Sequence, residues 1–299
     1  MTITRDKIYN RFLPEILPCA EISPGDRLTL ETLDALFGRS VDDRDGKLER
    51  DYVTSHANPA TGPIYVKGAM PKDTLEIEIH DIRLVGKGFL NIPNSGAPAA
   101  NTYNKRDYIE AEALPDGNLR IVHNGKILPA KPMIGVIGVA AYAKNSGGNL
   151  TVEAGDHGGN MDNNAITAGA AVYLPVFVEG ALLGIGDIHG IMGDGEVFGQ
   201  GVEICADVDI TVRVNKAMKI NRPLVISKEI ISTAASAETM EKASDLAISD
   251  MRYILETYHG LSPADAALAI ALYGDLRVCQ IVNPQKTMRM EIKKEVIAR

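Results

Sequence analysis

The stretch "DVDITVRV", residues 207–214, decides the class of fold. Its residues alternate between two faces, with Val208, Ile210, Val212 and Val214 on one and Asp207, Asp209, Thr211 and Arg213 on the other. Alternation with period two predicts a β-strand that is buried on one face and wet on the other. "LEIEIHDI", residues 75–82, repeats the pattern. Strands of this kind are typical of antiparallel sheets.

Other segments extend the β prediction through most of the chain. The apolar runs "MIGVIGVAAYA" (133–143) and "AVYLPVFV" (171–178) are bounded by Gly and Pro and predict strands buried on both faces. "SPGDRLTLE", from Ser23, and "MPKDTLEIE", from Met70, each place a Pro turn and an Asp before an alternating run. These features predict a mainly β fold, a β-sandwich rather than a doubly wound sheet.

Helical periodicity is concentrated near the C-terminal end. Between Glu238 and Tyr258, one helical stripe is formed by Ala243, Ala247, Met251, Ile254, Leu255 and Tyr258. A second helix is predicted after Ser262, which suits an N-cap and precedes Pro263. "RVCQIVNPQKTMRMEI" then returns to strand. We therefore expect one domain over 1–299, with a β body (1–235) followed by a helical hairpin and a final strand (236–299).

Composition excludes several classes of partner. The formal net charge of −8 argues against nucleic acid as the main partner, because phosphate binding needs clustered Lys and Arg. No apolar run approaches the roughly 18 residues of a membrane span, so no membrane association is expected. The opening "MTITRDKIYN" does not resemble a signal peptide. The three scattered cysteines, Cys19, Cys205 and Cys279, suggest a reducing compartment, and we expect a cytoplasmic protein.

The stretch "GIGDIHGIMGDGEVFGQGVE", residues 184–203, concentrates acidic and imidazole side chains. Asp187, His189, Asp194 and Glu196 lie within ten residues, and no Lys or Arg stands among them. Carboxylates crowded without a cation raise one another's pKa, and a divalent metal would remove that conflict. Mixed Asp and His ligation suits zinc or a similar ion. The alternative is a solvated hairpin turn built on Gly-Asp-Gly-Glu.

A second candidate loop is "EAGDHGGNMDNN", residues 153–164. Gly158 and Gly159 would present bare backbone amides to a carbonyl oxygen or an anion. The polar side chains around them are Asp156, His157, Asn160 and Asp162. The alternative is a polar turn. His56, in "SHANPATGP", is a third candidate, and its alternative is an ordinary surface-loop histidine.

Four segments together resemble the acetamidase/formamidase family. They are "NPATGPIYVKGAMPKDTLEIEI" (58–79), "GGNMDNN" (158–164), "YLPVFVEGALLGIGDIHGIMGDGEVFGQGVE" (173–203) and "VCQIVNPQKTMRMEI" (278–292). The resemblance implies a β-sandwich of jelly-roll type with α+β additions and a homodimer or dimer-based oligomer. It also implies hydrolysis of a short linear amide, such as formamide or acetamide, to carboxylate and ammonia. Zinc and calcium are the ions it implies.

The hypothesis of a metal-assisted amidase assigns roles to individual residues. Asp187, His189 and His157 are expected to hold the metal, with Asp156 and His56 as the alternatives to His157. Glu196 is expected to be the general base. The remaining expectations are catalytic roles for Asp194 and Asn160, and substrate binding by Gly158, Gly159 and Asp162.

Two rival functions remain open at this point. A non-catalytic β-sandwich could bind a metal or small ligand through the same acids. A cysteine amidase could use Cys205, although a strand-like context favours burial of that thiol.

Overall fold

The described part of the chain joins nineteen β-strands into one hydrogen-bonded sheet. The computed structural model describes residues 1–37, 56–92, 107–142 and 149–297. The strands are β1 (Thr2–Ile3), β2 (Ile8–Tyr9), β3 (Ala20–Ile22), β4 (Arg27–Thr32), β5 (Ala60–Val66), β6 (Thr74–Ile92), β7 (Asp107–Ala113), β8 (Asn118–Ile121), β9 (Lys126–Pro129), β10 (Met133–Gly138), β11 (Ala154–Gly155), β12 (Gly158–Asn160), β13 (Ala171–Pro175), β14 (Leu183–His189), β15 (Glu203–Asn215), β16 (Leu224–Ile226), β17 (Ile230–Ala237), β18 (Asp275–Gln280) and β19 (Lys286–Lys293). The prediction of a mainly β fold is confirmed.

The two alternating runs pair with each other at the centre of the sheet. β6 and β15 are antiparallel from Glu203 opposite Phe89 to Asn215 opposite Thr74, and β4 pairs with the other edge of β15. Their inward Ile, Leu and Val side chains are buried in the largest apolar cluster. Each fully buried side chain of this size stabilises the fold by roughly 1.5–3 kcal/mol. The outward face carries ion pairs such as Arg27 with Asp209 and Arg213 with Glu78.

The two Pro-Asp turns open strands β4 and β6 in the same way. The backbone N–H of Ser23 donates to Asp26 Oδ2 at 2.7 Å, and that of Met70 donates to Asp73 Oδ2 at 3.1 Å. An Asp side chain that accepts from backbone three residues earlier closes a tight turn. The repeated strand opening predicted from the sequence is therefore confirmed.

Strand β10 is buried along its whole length, as its apolar run predicted. It pairs antiparallel with β12 on one edge and with β14 on the other. The second apolar run forms β13, which pairs with β6 and β16. β10 is therefore the strand that brings the two candidate loops side by side.

The C-terminal region begins with the predicted helical hairpin. Helix α1 (Met240–Tyr258) is capped by Thr239, and its buried residues are Ala243, Ala247, Met251, Ile254 and Leu255. Helix α2 (Pro263–Tyr273) is capped by Ser262, whose hydroxyl accepts from the Asp265 N–H. α1 packs against β17 and β19 in a second apolar cluster. Among the described residues, no helix combines the length and apolar character needed to traverse a lipid bilayer.

The chain ends in a β-hairpin where one final strand was expected. β18 and β19 pair antiparallel with each other, and β19 also pairs with β17. A 3₁₀ turn follows at Lys294–Val296. β17 runs across residue 235, the expected limit of the β body. The organisation of 1–299 as a single domain stays a prediction.

Candidate active site

Strand β10 places the two candidate loops around one point. Val136 lies opposite Asn160 of β12 and opposite Gly186 of β14. Asp162 follows β12, and Asp187 follows Gly186 within β14. The loops that the sequence separates by about thirty residues therefore meet across the width of a single strand.

Five buried acidic and imidazole side chains converge there, and we call them the acid–His cluster. Its members are Asp162, Asp187, His189, Glu196 and Glu203, each at most 6% exposed. They form two groups that share His189, one with Asp187 and Glu203 and one with Asp162 and Glu196. Within each group the ligand atoms lie within 4.8 Å of one another. Charges buried this deeply require pairing or a metal ion.

His189 lies at the centre of the acid–His cluster. Its Nε2 is 3.1 Å from Glu203 Oε1 and 3.7 Å from Asp187 Oδ1. Its other nitrogen, Nδ1, lies 3.2 Å from the sulfur of Met192. Glu203 is the first residue of β15 and stands directly opposite His189 in the strand pairing. The pairing of β14 with β15 thus fixes the contact between His189 and Glu203.

The electrostatics of the cluster favour retained protons. Burial raises the pKa of Asp162 to about 7, and the charge of Asp187 adds to the effect. Burial likewise raises the pKa of Glu196, assisted by Asp162, and that of Glu203. Burial alone would lower the pKa of His189, but Glu203 and Asp187 reverse the direction and raise it well above its usual value. The site thus resists accumulating negative charge unless a cation enters.

Three asparagine amides surround the carboxylates. Asn58 Nδ2 donates to Asp187 Oδ2 at 2.7 Å. With its amide nitrogen facing the carboxylates, Asn160 donates to Asp187 Oδ2 at 3.0 Å and to Asp162 Oδ2 at 3.2 Å. In that orientation its oxygen accepts from Asn283 Nδ2 at 2.9 Å. Hydrogen bonds of this kind fix the direction in which each carboxylate points.

The backbone around the cluster is held in an uncommon conformation. Four residues of the site have left-handed backbone: Asn58 (φ 55°), Asp162 (φ 46°), Asp187 (φ 55°) and Glu196 (φ 46°). Asn and Asp tolerate this region, whereas Glu adopts it rarely. Such conformations cost on the order of 1–3 kcal/mol each and concentrate at functional sites. They aim side chains that regular strand geometry would direct elsewhere.

Two glycines provide the space that the cluster occupies. A Cβ at Gly135 would lie 2.6 Å from Asp162 Oδ1 and 2.8 Å from Asp187 Oδ2. A Cβ at Gly201 would lie 2.7–2.9 Å from atoms of His189. Any side chain at either position would displace the acids or the imidazole. The glycines are therefore part of how the sequence builds the site.

The donor set fits a divalent cation. Asp187 Oδ1, Glu196 Oε2, Glu203 Oε2 and His189 Nε2 are buried and make no hydrogen bond of good geometry with described residues. Ligand distances of about 2.1 Å place neighbouring ligand atoms roughly 3.0–3.5 Å apart around one ion. The contacts of His189 with Glu203 and Asp187 fall close to that range. Asp187, His189 and Glu203 are the residues best arranged to hold a metal.

Comparison with known proteins identifies the family of this chain. The model of the acetamidase/formamidase family matches residues 1–144 and 97–241. The chain belongs to the acetamidase/formamidase family. The match of the family model thus confirms the resemblance drawn from four sequence segments.

Solved structures of similar proteins share the whole fold of this family member. A predicted acetamidase/formamidase from Thermoanaerobacter tengcongensis is 36% identical, with a TM-score of 0.90 over 99% of this chain and 96% of that one. An acetamidase from Bacillus halodurans is 34% identical, with a TM-score of 0.89 over 99% and 98%. The formamidase of Methylophilus methylotrophus is 26% identical over 64% of this chain. The chain spans about 60% of the length of the curated relatives it matches.

Asp194 lies outside the acid–His cluster of this family member. Its carboxylate binds Arg289 through two hydrogen bonds, of 3.0 and 2.7 Å, and accepts from Asn164 at 2.8 Å. Arg289 therefore lowers the pKa of Asp194, against the opposing effect of partial burial. The interpretation that a metal supplies every missing counter-charge is wrong for Asp194. Its cation comes from β19, about 95 residues away, which local sequence could not reveal.

Gly158 and Gly159 lie in β12, between β11 and β10. A Cβ at Gly159 would lie 2.1 Å from the carbonyl oxygen of Glu153, and one at Gly158 would lie 2.3 Å from that of Ile137. Both glycines also have positive φ, 93° at Gly158 and 85° at Gly159. Close strand packing thus accounts for both glycines, and their expected role in substrate binding stays a prediction.

The candidate third ligands lie apart from the cluster. His157 is buried, but it packs against Phe12 with ring centroids 5.4 Å apart and belongs to neither carboxylate–imidazole group. His56 and Asp156 are half-buried and also belong to neither group. Cys205 lies in β15, where burial raises the pKa of its thiol. That direction opposes the thiolate a cysteine amidase needs.

Sequence reasoning missed three residues of the site: Glu203, Asn58 and Asn283. Glu203 ends the quoted stretch 184–203, and period-two alternation does not reveal that it faces His189. Asn58 directly precedes Pro59, and its left-handed backbone is a feature that Asn tolerates. Asn283 comes from the loop between β18 and β19. Only the three-dimensional pairing of distant segments identifies these residues.

Proposed function

We propose that this chain is a metal-dependent amidohydrolase that cleaves the C–N bond of a short linear amide to carboxylate and ammonia. The observation that carries the proposal is the buried group of Asp187, His189 and Glu203, adjacent to a second group that contains Glu196. A site of this kind supports hydrolysis because it combines cation ligands with a carboxylate of raised pKa. Membership of the family adds the reaction class.

The proposed metal ligands are Asp187, His189 and Glu203, so that Glu203 takes the place that the sequence assigned to His157. Zinc suits this set better than calcium, because calcium prefers oxygen ligands alone. When bound, the ion would supply Lewis acidity that polarises the amide carbonyl and makes a nearby water more acidic.

Glu196 is the proposed general base. Burial and the neighbouring Asp162 raise its pKa, and a carboxylate of raised pKa is a stronger proton acceptor than a solvated one. In the proposed reaction Glu196 takes a proton from the attacking water. It then gives that proton to the nitrogen of the departing amine, so that the carboxylate is regenerated.

Asn160 and Asp162 are proposed to orient the reacting groups. Asn160 bonds both Asp162 and Asp187, so its amide couples the two halves of the cluster. Asn160 is also proposed to stabilise developing charge on the amide oxygen of the substrate. One such donor contributes about 3–4 kcal/mol in enzymes of known mechanism.

The size of the substrate follows from the burial of the cluster. All five members are at most 6% exposed, which disfavours a bulky substrate. Relatives carry the names formamidase and acetamidase. We therefore propose formamide or acetamide as the class of substrate.

We also propose a homodimer and a cytoplasmic location. α2 and the start of β18 expose large apolar side chains, namely Leu268, Leu272, Tyr273 and Leu276. A surface of this kind favours self-association. Light scattering on the purified protein tests the dimer.

The decisive experiment combines metal analysis with an amide panel. Ammonia release is measured for formamide, acetamide, propionamide and benzamide, before and after removal of metal by a chelator, with re-addition of zinc or calcium. We expect turnover of the short amides, loss of turnover on chelation and recovery with zinc. A chelator that lowers the melting temperature while no amide is ever hydrolysed would favour a non-catalytic metal-binding protein.

Glu196→Gln tests the general base. The substitution keeps the shape of the side chain, and Glu76→Gln on the outer face of β6 is the matched control. We expect Glu196→Gln to lower kcat by about 10²–10⁴-fold with metal content unchanged. An unchanged rate with intact metal would remove Glu196 from the mechanism.

A further inference from the structure

The loop that carries Glu196 is fastened to the C-terminal hairpin of β18 and β19. The Gly195 N–H donates to the Cys279 carbonyl at 3.1 Å, and the Ile281 N–H donates to the Gly195 carbonyl at 3.2 Å. Both backbone groups of Gly195 are therefore held by the hairpin. Because Glu196 is the next residue, these bonds constrain the backbone from which its side chain enters the cluster.

An ion pair fastens the same loop a second time. Arg289 of β19 binds Asp194 through both oxygens, and Arg289 itself is buried. The Nε of Arg289 also donates to Glu291 at 2.6 Å, which sets the direction of the guanidinium. Asp194 in turn accepts from Asn164, two residues after Asp162. One carboxylate thus links the loops of Asp162 and Glu196 to β19.

The tip of the hairpin reaches the cluster directly. Gln280 is fully buried, and its Oε1 accepts from the backbone of Val282 and Asn283, both at 3.0 Å. Its Nε2 donates to the Gln285 carbonyl at 2.6 Å and to Thr287 Oγ1 at 3.0 Å. Gln280 therefore braces the tip from which Asn283 contacts Asp162 at 3.4 Å.

We propose that Arg289 is a positioning residue of the active site, which acts through Asp194 and Gly195 to hold Glu196 over the acid–His cluster. The inference rests on the proposed function, since it takes Glu196 as the general base. Glu196 needs external support because its left-handed backbone (φ 46°) is unfavourable for a Glu. Without the Arg289–Asp194 pair, the loop is free to relax and carry the carboxylate away from the reacting atoms.

The test compares kcat, KM, metal content and melting temperature for Arg289→Met, Asp194→Asn and the double variant. Asp194 is 35% exposed, so Asp194→Asn is expected to fold even if Arg289→Met does not. We expect each single variant to lower kcat at least tenfold with KM within threefold and metal retained. The double variant should be no slower than the worse single variant, because both remove the same support. Arg289→Lys should recover part of kcat.

Two further arms separate positioning from general stability. Arg222→Met removes another two-bonded ion pair, with Asp250 at 2.6 and 2.7 Å, and should lower the melting temperature without lowering kcat. In a Glu196→Gln background, Arg289→Met should cause less than a twofold further loss, because Arg289 acts through Glu196.

Several outcomes would overturn the inference. Folded Arg289→Met and Asp194→Asn proteins with wild-type kcat would refute it while leaving the proposed function intact. If the protein with both Arg289→Met and Glu196→Gln lost kcat by the product of the two single losses, Arg289 would act by a route other than Glu196. Wild-type activity of Glu196→Gln would instead refute the general base, and the inference would fail with it.

Discussion

Replacing Gly135 with Ala tests whether the acid–His cluster depends on a missing side chain. The added Cβ would lie 2.6 Å from Asp162 Oδ1 and 2.8 Å from both the carbonyl oxygen and Oδ2 of Asp187. The shortfall from an ordinary contact is about 0.6–0.8 Å. Metal ligands must hold their positions to within about 0.2 Å. The two carboxylates therefore cannot keep a geometry suited to a cation.

The expected loss is larger for metal binding than for stability. Overpacking a core by one methyl group costs about 1–3 kcal/mol, which lowers the melting temperature by a few degrees in a domain of this size. Displaced carboxylates should weaken metal affinity by about 10–100-fold. We expect kcat for amide hydrolysis to fall in step with metal occupancy.

The assay measures bound metal at several free zinc concentrations, together with ammonia release and melting temperature. Ile77→Val is the control, because it removes a methylene from the largest apolar cluster at a cost of about 1 kcal/mol. The control should lose stability and keep metal and kcat. A folded Gly135→Ala protein with full metal occupancy and wild-type kcat would refute the reasoning.

Three other predictions follow from the cluster and the helices. The metal-free protein should lose stability as pH rises from 4 to 8, because the raised pKa values of Asp162, Glu196, Glu203 and His189 mean that the native state keeps protons that the unfolded state releases. Melting temperatures in chelator at pH 5, 6.5 and 8 measure this change, and a rise with pH would contradict it. Asn58→Asp keeps a residue that tolerates left-handed backbone but replaces the donor to Asp187 with a like charge. Zinc affinity, measured by competition with a chromophoric chelator, should therefore fall, and kcat at low zinc should fall with it. Equal values for the variant and the wild type would argue against the contact. Ser262→Ala removes the α2 cap and should lower the free energy of unfolding in urea by about 1 kcal/mol with kcat unchanged. An unaltered urea midpoint would show that the cap does not stabilise the protein.

The regular elements could be predicted because their signals are local. Period-two alternation predicted β6 and β15, and the spacing of apolar residues predicted α1 with its buried stripe. The cap at Ser262 depends on side-chain chemistry within three residues. Each of these features is decided by neighbours in the chain, so one sequence is sufficient to find it.

The site was only half predictable because its geometry is not local. A spacing of two residues placed Asp187 and His189 together in the expected site, and both belong to the cluster, although the left-handed backbone of Asp187 departs from strand geometry. The same spacing rule grouped Asp194 with Glu196, but Asp194 turns away to Arg289. Gly195, between Asp194 and Glu196, has left-handed backbone. It reverses the expected direction of a side chain, and no periodic pattern reports that reversal.

The position of the C-terminal hairpin has a consequence for how the protein is made. Chains emerge from the ribosome from the N-terminal end and domains generally fold as units during or after synthesis. Arg289 and Asn283 are translated long after the acids they contact. A nascent chain can therefore pair β6 with β15 well before the hairpin of β18 and β19 is available to hold the loop of Glu196.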